Sequence, residues 1–183
     1  MDQVFAPWRI EWVERDGGND DVDGCVFCAY GSGDAELDRE RRVVARSEYA
    51  FVLLNNYPYN PGHVMVIPHD HTGDYRDLDD AVLLDHARLK QRTLDALDEG
   101  LGPDGYNAGC NLGGAAAGGS IDDHVHTHVV PRWAGDTDFM AVVSDTTVIV
   151  EAIADTYDRL HDAFGAQPGA EVAGEDRAVV LDL

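Results

Sequence analysis

Lysine is nearly absent from this sequence of 183 residues, and long apolar runs are missing. Lys90 and twelve arginines face 26 aspartates and nine glutamates, so the formal net charge is −22. A chain this acidic repels the phosphate backbone of a nucleic acid and an anionic lipid surface, so we expect neither nucleic acid nor membrane as a partner. No stretch approaches the roughly 18 consecutive apolar residues of a membrane-spanning helix.

Cysteine is also scarce, and the first residues lack the basic start and apolar run of a signal peptide. Three cysteines (Cys25, Cys28 and Cys110) cannot all pair with one another, so we expect a reducing, cytoplasmic location. Cys25 and Cys28 are spaced CxxC, which is typical of a zinc ligand pair or a redox disulfide. A pair of reduced, half-buried thiols is the third interpretation.

The acidic residues are spread along the whole chain, as in proteins from salt-loving archaea. Dissolved salt screens the repulsion between like charges, so such a composition is tolerated best in concentrated salt. We therefore expect a halophilic protein.

Apolar periodicity predicts strands and helices in an order that favours an α+β fold. The predicted strands are Val43–Arg46, Tyr49–Asn55, His63–Ile67, Tyr106–Asn111 and His124–Val130. The predicted helices are Leu78–Leu97 and Val148–Phe164. We expect one domain over 43–164, an antiparallel sheet with two helices. An N-terminal strap with the CxxC lead precedes it over 1–42, and a tail that is loose or packs on a neighbour follows over 165–183.

Three histidines alternate with other residues in the segment HVHTHVV, at His124, His126 and His128. On a strand, residues two apart point to one face, so three imidazoles should lie together. Such a row either binds a metal or acts on a phosphoryl group, one ring as nucleophile and the others as donors. The glycine-rich stretch Leu112–Ser120 just upstream favours phosphate, because glycine lets backbone N–H groups approach phosphate oxygens.

The segment also resembles the histidine triad (HIT) family, whose pattern is His-φ-His-φ-His-φ-φ with φ apolar; Thr127 is only partly apolar. Phe51–Pro68, Ala6–Trp12, CVFC and Pro131–Met140 are similar to segments of the family's prokaryotic dinucleoside-polyphosphate phosphorylases and hydrolases. The resemblance implies a HIT-like fold and a homodimer. Asp138 departs from the asparagine expected in that subgroup.

The resemblance implies a role for each histidine of the segment. His126 is expected to attack the α-phosphorus of a nucleotide, while His124 and His128 orient it and contact phosphate oxygens. His63 matches a fourth histidine that supports the row. The expected substrate contacts are Asn55 at the ribose, or alternatively as a turn cap, with Asn111, Gly119 and Ser120 at the phosphates. Arg132 is a candidate counter-charge, and a divalent cation such as Mg²⁺ is a second way to offset the repulsion.

The family resemblance also implies a structural zinc ion bound by Cys25, Cys28, His71 and His124. This site would leave His124 unavailable for phosphate. His86 and His161 fall within predicted helices and are interpreted as surface or boundary residues.

Together these features predict an enzyme. We expect a nucleotide hydrolase or nucleotidyltransferase that acts on dinucleoside polyphosphates such as diadenosine tetraphosphate, through a nucleotidyl-histidine intermediate. One alternative is a nucleotide-binding sensor without turnover. Another is a zinc-dependent hydrolase in which the three histidines are the metal ligands.

Overall fold

A seven-stranded sheet organises the chain in the computed structural model, which describes residues 24–112, 121, 123–136 and 153–183. The strands are β1 Val43–Arg46, β2 Ala50–Leu54, β3 Val64–Pro68, β4 Gly105–Gly109, β5 Thr127–Arg132, β6 Ala170–Glu171 and β7 Val179–Leu181. Their order across the sheet is β4-β5-β3-β2-β1-β7-β6. Neighbouring strands are antiparallel except β1 and β7, which are parallel, so the sheet is mixed.

Four α-helices accompany the sheet in the described part of the chain. They are α1 Val26–Gly31, α2 Asp38–Arg41, α3 Asp80–Leu101 and α4 Ile153–Gly165, with short 3₁₀ turns at Ala35–Leu37 and Tyr75–Asp77. The two long helices confirm the predicted α+β class. Among the helices of the described residues, none is both long enough and apolar enough to cross a membrane.

The strands separate two apolar layers because their side chains alternate between the faces of the sheet. Val64 and Val66 point towards α3 and α4 and pack with Leu89 and Phe164, which are fully buried. The opposite face carries a smaller cluster in which Phe27 of α1 covers the sheet. Burying one such large apolar side chain contributes about 1.5–3 kcal/mol, so both layers stabilise the sheet, and the helix side has the larger cluster.

The helix α3 ends where the sequence supplies glycine. Gly102 adopts φ +61°, and its N–H caps the carbonyls of Leu97 and Asp98. Glycine tolerates this left-handed conformation without a Cβ penalty. The predicted helix Leu78–Leu97 therefore lies almost wholly within α3, which begins two residues later and continues to Leu101.

The turn between β2 and β3 brings His63 to the start of β3. Gly62 has φ +75°, and a Cβ there would lie 2.3 Å from Cδ1 of Leu101. Both the left-handed φ and this close approach to the Leu101 side chain favour glycine here. The turn predicted from the segment Asn56–Gly62 thus fixes the place of the histidine that follows it.

The tail joins the sheet of its own chain through β6 and β7. β7 pairs with β1 in the register Ala45 to Val179, and both side chains are fully buried. The carboxylate of Asp38, 1% exposed, accepts the backbone N–H of Ala178 at 3.1 Å and pairs with Arg46 at 2.5 Å. The buried acid therefore links α2, β1 and the tail.

Candidate active site

The three histidines do not share one strand, because β5 begins at Thr127 and not at His124. The N–H of Val125 donates to the carbonyl of Thr72 at 2.7 Å, whereas the pairing of β5 with β3 starts only at Thr127. His126 and His128 remain neighbours, with ring centroids 4.9 Å apart. The predicted row is therefore two histidines side by side and a third, His124, whose Nδ1 faces two cysteines.

The ring of His126 is fixed by the backbone. Its Nδ1 lies 2.8 Å from the carbonyl oxygen of His124. A carbonyl only accepts hydrogen bonds, so Nδ1 carries the proton and the neutral ring keeps a lone pair on Nε2. Burial lowers the pKa of His126, which favours this neutral form. A neutral imidazole with a defined unprotonated nitrogen is suited to act as a nucleophile.

His128 is held by a relay of donors that starts in the backbone. The N–H of Tyr59 donates to Nδ1 of His63 at 3.1 Å, and Nε2 of His63 lies 2.9 Å from Nδ1 of His128. In the neutral form of both rings, His63 must then donate from Nε2 to His128. His128 consequently carries its proton on Nε2, as a phosphate donor requires. His63, fully buried, thus lies where the sequence predicts a supporting histidine.

Phe27 of α1 covers this part of the site. Its ring centroid is 5.1 Å from that of His126 and 5.5 Å from that of His124. Phe27 is 3% exposed and His126 6% exposed, so the histidine ring lies in largely apolar surroundings. This packing is the physical cause of the desolvation of His126.

Cys25, Cys28, His71 and His124 form a group with the geometry of a metal site, since one ligand atom from each lies within 4.8 Å of all the others. Nδ1 of His124 is 3.3 Å from Sγ of Cys25 and 3.4 Å from Nδ1 of His71. Sγ of Cys28 is 3.2 Å from Nδ1 of His71 and 3.7 Å from Nδ1 of His124. A tetrahedral zinc site has N–N and N–S edges of roughly 3.4 and 3.6 Å, so the donor set fits.

The orientation of His124 agrees with a ligand role. Its Nε2 lies 2.9 Å from the carbonyl oxygen of Pro68, so Nε2 donates and Nδ1 offers its lone pair to the group. Burial, with Cys25 as a neighbour, raises the pKa of the Cys28 thiol to about 11. A metal ion must therefore displace a proton from Cys28 when it binds.

Residues 36–135 match the sequence profile of the HIT domain. The chain belongs to the histidine triad family. It is 39% identical over 131 residues to the AP-4-A phosphorylase of Mycobacterium tuberculosis, covering 72% of this chain and 67% of that protein.

Two further HIT proteins are similar to this chain. The adenosine 5'-monophosphoramidase of Schizosaccharomyces pombe is 30% identical over 108 residues, covering 59% of this chain and 74% of that protein. The crystal structure of a zinc-bound histidine triad protein from Mycobacterium smegmatis superposes with a TM-score of 0.58 at 30% identity. The match covers 78% of this chain and 94% of that one. The HIT fold expected from the sequence is confirmed.

Two of the substrate contacts predicted from the sequence, Asn55 and Arg132, have hydrogen-bond partners within the chain. Oδ1 of Asn55 accepts the N–H of Tyr57 at 2.8 Å, the turn-capping alternative for this residue. Arg132 is bidentate to Asp136, with distances of 2.5 and 2.8 Å. Its charge is already offset by that carboxylate, whose pKa the same guanidinium lowers. Arg132 is therefore paired with Asp136 in this conformation, and its role as a counter-charge for phosphate stays a prediction.

The glycine-rich side of the site is described only at its start. Asn111 is exposed next to Cys110. Gly119 and Ser120, and also Asp138, lie outside the described residues, as do Phe5, Trp8 and Trp12 of the predicted strap and residues 148–152 of the predicted second helix.

His86 and His161 are buried, at 1% and 7% exposure, and the surface interpretation is wrong for both. Nε2 of His86 lies 3.2 Å from the hydroxyl of Thr127, inside the triad itself. The one sequence signal of this contact was that Thr127, a polar residue, occupies a position that is apolar in the triad pattern. Which histidine approaches Thr127 depends on how α3 packs across the sheet, and helical spacing does not fix that.

Proposed function

We propose that this HIT protein cleaves dinucleoside polyphosphates through a nucleotide covalently bound to His126. The observation that carries the proposal is the hydrogen bond from Nδ1 of His126 to the carbonyl of His124. It leaves the lone pair on Nε2, beside a second histidine whose Nε2 carries a proton. The name of the M. tuberculosis relative, an AP-4-A phosphorylase, supports the substrate class.

The reaction takes two displacements at the α-phosphorus. In the first, the lone pair of Nε2 of His126 forms a P–N bond, and the P–O bond to the leaving nucleotide breaks with its electron pair on that oxygen. The positive charge on the imidazole ring is stabilised by the carbonyl of His124. In the second, an oxygen of water or inorganic phosphate forms a P–O bond to the same phosphorus, and the P–N bond breaks with its electron pair returning to the ring; an attacking water releases its proton to the solvent.

Nε2–H of His128 is the donor expected to stabilise the phosphoryl oxygens, since negative charge grows there in each transition state. His63 and the Tyr59 N–H fix this proton on Nε2 of His128. Pre-set donors need no reorganisation during the reaction, which is the main advantage of such a site.

A product assay tests this function. The protein is incubated with diadenosine tetraphosphate and Mg²⁺, with and without inorganic phosphate, and the nucleotides are resolved. ATP plus AMP means that water accepts the nucleotide, and ATP plus ADP means that phosphate does. Binding without any product would favour the sensor alternative and overturn the proposal. The phosphoramidase relative makes an adenosine phosphoramidate a useful second substrate.

We also propose that the Cys25, Cys28, His71 and His124 group holds structural zinc. Two thiolates and two imidazoles make a closed four-ligand set, which leaves no position for substrate. The zinc-bound M. smegmatis relative supports this metal. Nδ1 of His124 points into this group, so the orientation disfavours a catalytic zinc shared by all three triad histidines.

We further propose a homodimer that forms through β4. This strand ends the sheet, and Asn107, Ala108 and Gly109 on it are exposed. An exposed strand edge presents backbone groups that a second copy can pair with. Light scattering coupled to size exclusion gives the mass in solution, and a monomer at all concentrations would contradict the proposal.

A further inference from the structure

A histidine behind the sheet contacts the triad from the helix side. His86 of α3 is 1% exposed, and its Nε2 lies 3.2 Å from both the carbonyl oxygen of Val66 and the hydroxyl oxygen of Thr127. Its Nδ1 lies 2.9 Å from the hydroxyl of Tyr75. Each ring nitrogen therefore has a partner inside the protein.

The partners fix the direction of each bond. The carbonyl of Val66 only accepts, so Nε2 of His86 carries the proton. In the neutral ring, Nδ1 then accepts from the hydroxyl of Tyr75. The Nε2–H is shared between Val66 and Thr127, one on each of two neighbouring strands.

Val66 and Thr127, the two acceptors, lie at the end of the ladder between β3 and β5. Val66 and Thr127 face each other, and theirs is the last pair in the register between β3 and β5. The next residue before Thr127 is His126, whose ring depends on the backbone carbonyl of His124. The end of a β ladder frays unless other contacts hold it. His86 bridges β3 and β5 at their last pair, and the segment that carries His126 leaves the sheet at this point.

The hydroxyl of Thr127 has a second contact. Sγ of Cys110, just after β4, lies 3.0 Å from the hydroxyl oxygen of Thr127. Thr127 is 3% exposed, so no bulk water replaces these bonds. The hydroxyl thus ties β5 to α3 and to the end of β4 at once.

We propose that His86 and Thr127 are positioning residues, which hold the backbone between His126 and His128 so that the two rings keep their tautomers and spacing. The kinetic part of this inference rests on the proposed function. Neither residue touches substrate, because both lie on the helix face of the sheet.

The matched pair Thr127→Val and Thr127→Ser tests the inference. Valine keeps the shape and removes the hydroxyl, whereas serine keeps the hydroxyl. A net hydrogen bond is worth about 1 kcal/mol, so we expect kcat of Thr127→Val to fall roughly fivefold to tenfold with KM little changed. Thr127→Ser should stay close to the parent. Equal kcat in all three proteins would overturn the proposal.

A measurement without substrate separates this inference from the proposed function. Nitrogen-15 shifts of the His126 and His128 rings report which nitrogen carries each proton. We expect single tautomers in the parent and in Thr127→Ser, and mixed or broadened signals in Thr127→Val. If the parent shows no turnover, the proposed function is wrong, but the nitrogen-15 measurement still tests this inference. Unchanged ring signals, whatever the melting temperature does, would show that the hydroxyl is merely structural.

If Thr127→Val does not fold, the pair His86→Leu and His86→Gln replaces it. Glutamine offers an N–H near the position of Nε2, while leucine offers none. We expect single tautomers at His126 with glutamine and mixed ones with leucine. Matching ring signals in these two variants would overturn the proposal.

Discussion

At the scale of single residues, the site is defined by where protons lie on its imidazole rings. Backbone groups decide this at both positions: the His124 carbonyl sets the ring of His126, and the Tyr59 N–H sets His128 through His63. Backbone partners do not change protonation state near neutral pH. The two rings therefore take opposite roles, acceptor and donor, although their chemistry is the same.

Replacing His126 by alanine should abolish turnover and leave nucleotide binding largely intact. The ring supplies the attacking lone pair, whereas other parts of the site hold the ligand. Steady-state kinetics and calorimetric titration with a non-hydrolysable dinucleotide measure the two effects. His161→Gln is a suitable control, because His161 is buried against the carbonyl of Arg177, away from the triad. Full activity in His126→Ala would refute the nucleophile role.

The stability of the fold should fall with acid partly through His86. Burial lowers the pKa of His86, with Lys90 adding to the effect and the Val66 carbonyl and Asp85 opposing it. The unfolded chain binds a proton near pH 6.5, where the folded chain does not, so this contribution is complete above about 6.5 and is lost as pH falls through the folded pKa. One such group changes the free energy of unfolding by up to about 1.4 kcal/mol per pH unit.

Urea unfolding of the parent and of His86→Gln, between pH 5 and 7.5, measures this contribution. The glutamine variant keeps a donor for Val66 and Thr127 and lacks the titrating ring, so its stability should depend less steeply on pH. The other buried imidazoles are common to both proteins and cancel in the difference. Identical slopes would mean that folding does not change the pKa of His86.

At the scale of elements, the short helix α1 follows Cys25 and contains Cys28, two of the four residues of the candidate metal site. It has six residues, and its N-cap, Cys25, makes no side-chain capping bond. An isolated helix of this length is unstable in water. Phe27 packs on the triad from this helix, so whatever fixes α1 also closes one side of the active site.

Elemental analysis should find one zinc ion per chain, and Cys25→Ser should lose it. Removal should lower the melting temperature more than it changes the chemistry, because structural zinc contributes folding free energy. Cys110→Ser is the matched control for metal content, since Cys110 contacts Thr127 and is not one of the four residues of the candidate metal site. A metal-free parent that melts at the same temperature as a zinc-loaded sample would show that the cysteines only pack.

At the scale of the whole molecule, the charge of −22 governs how the protein responds to salt. The Debye length falls from about 30 Å at 0.01 M salt to about 3 Å at 1 M. Screening should therefore stabilise the fold and also ease the approach of a polyanionic substrate. Arg132 forms an ion pair with Asp136, which offsets part of its positive charge.

Melting temperature and kcat/KM should both rise between about 0.1 and 3 M KCl, the upper end lying beyond simple screening theory. Differential scanning fluorimetry and initial rates on the same samples measure them. A steady fall of both with added salt would contradict a halophilic protein and would require a strong positive field at the active site.

The local pattern of apolar residues predicted much of the fold, because strand and helix periods can be read directly from the sequence. β1 has the predicted bounds, Val43–Arg46, and the centres of β2 and β3 are as expected. The tail strands were not predicted, since β6 and β7 are too short to show a period and gain their partners from distant residues.

The site was less predictable than the fold. The CxxC spacing indicated Cys25 and Cys28, whereas His71 and His124 as their partners and the place of His63 came from the family resemblance. The structure brings Cys25, Cys28, His71 and His124 together. Spacing alone misplaced His124, because a strand period cannot show where a strand begins. The pairing of Arg132 with Asp136 was also missed, since a short loop brings the two together only after β5 is formed.

The parallel pairing of β7 with β1 has a consequence for synthesis on the ribosome. β1 emerges early, but its outer edge stays uncovered until Val179 and its neighbours arrive at Ala45. During that interval the nascent chain exposes an apolar strand edge that another chain could pair with. Contacts between such distant residues also form slowly. A ribosome stall just before β7 should therefore leave a chain that chaperones retain, whereas one released after it should fold without them.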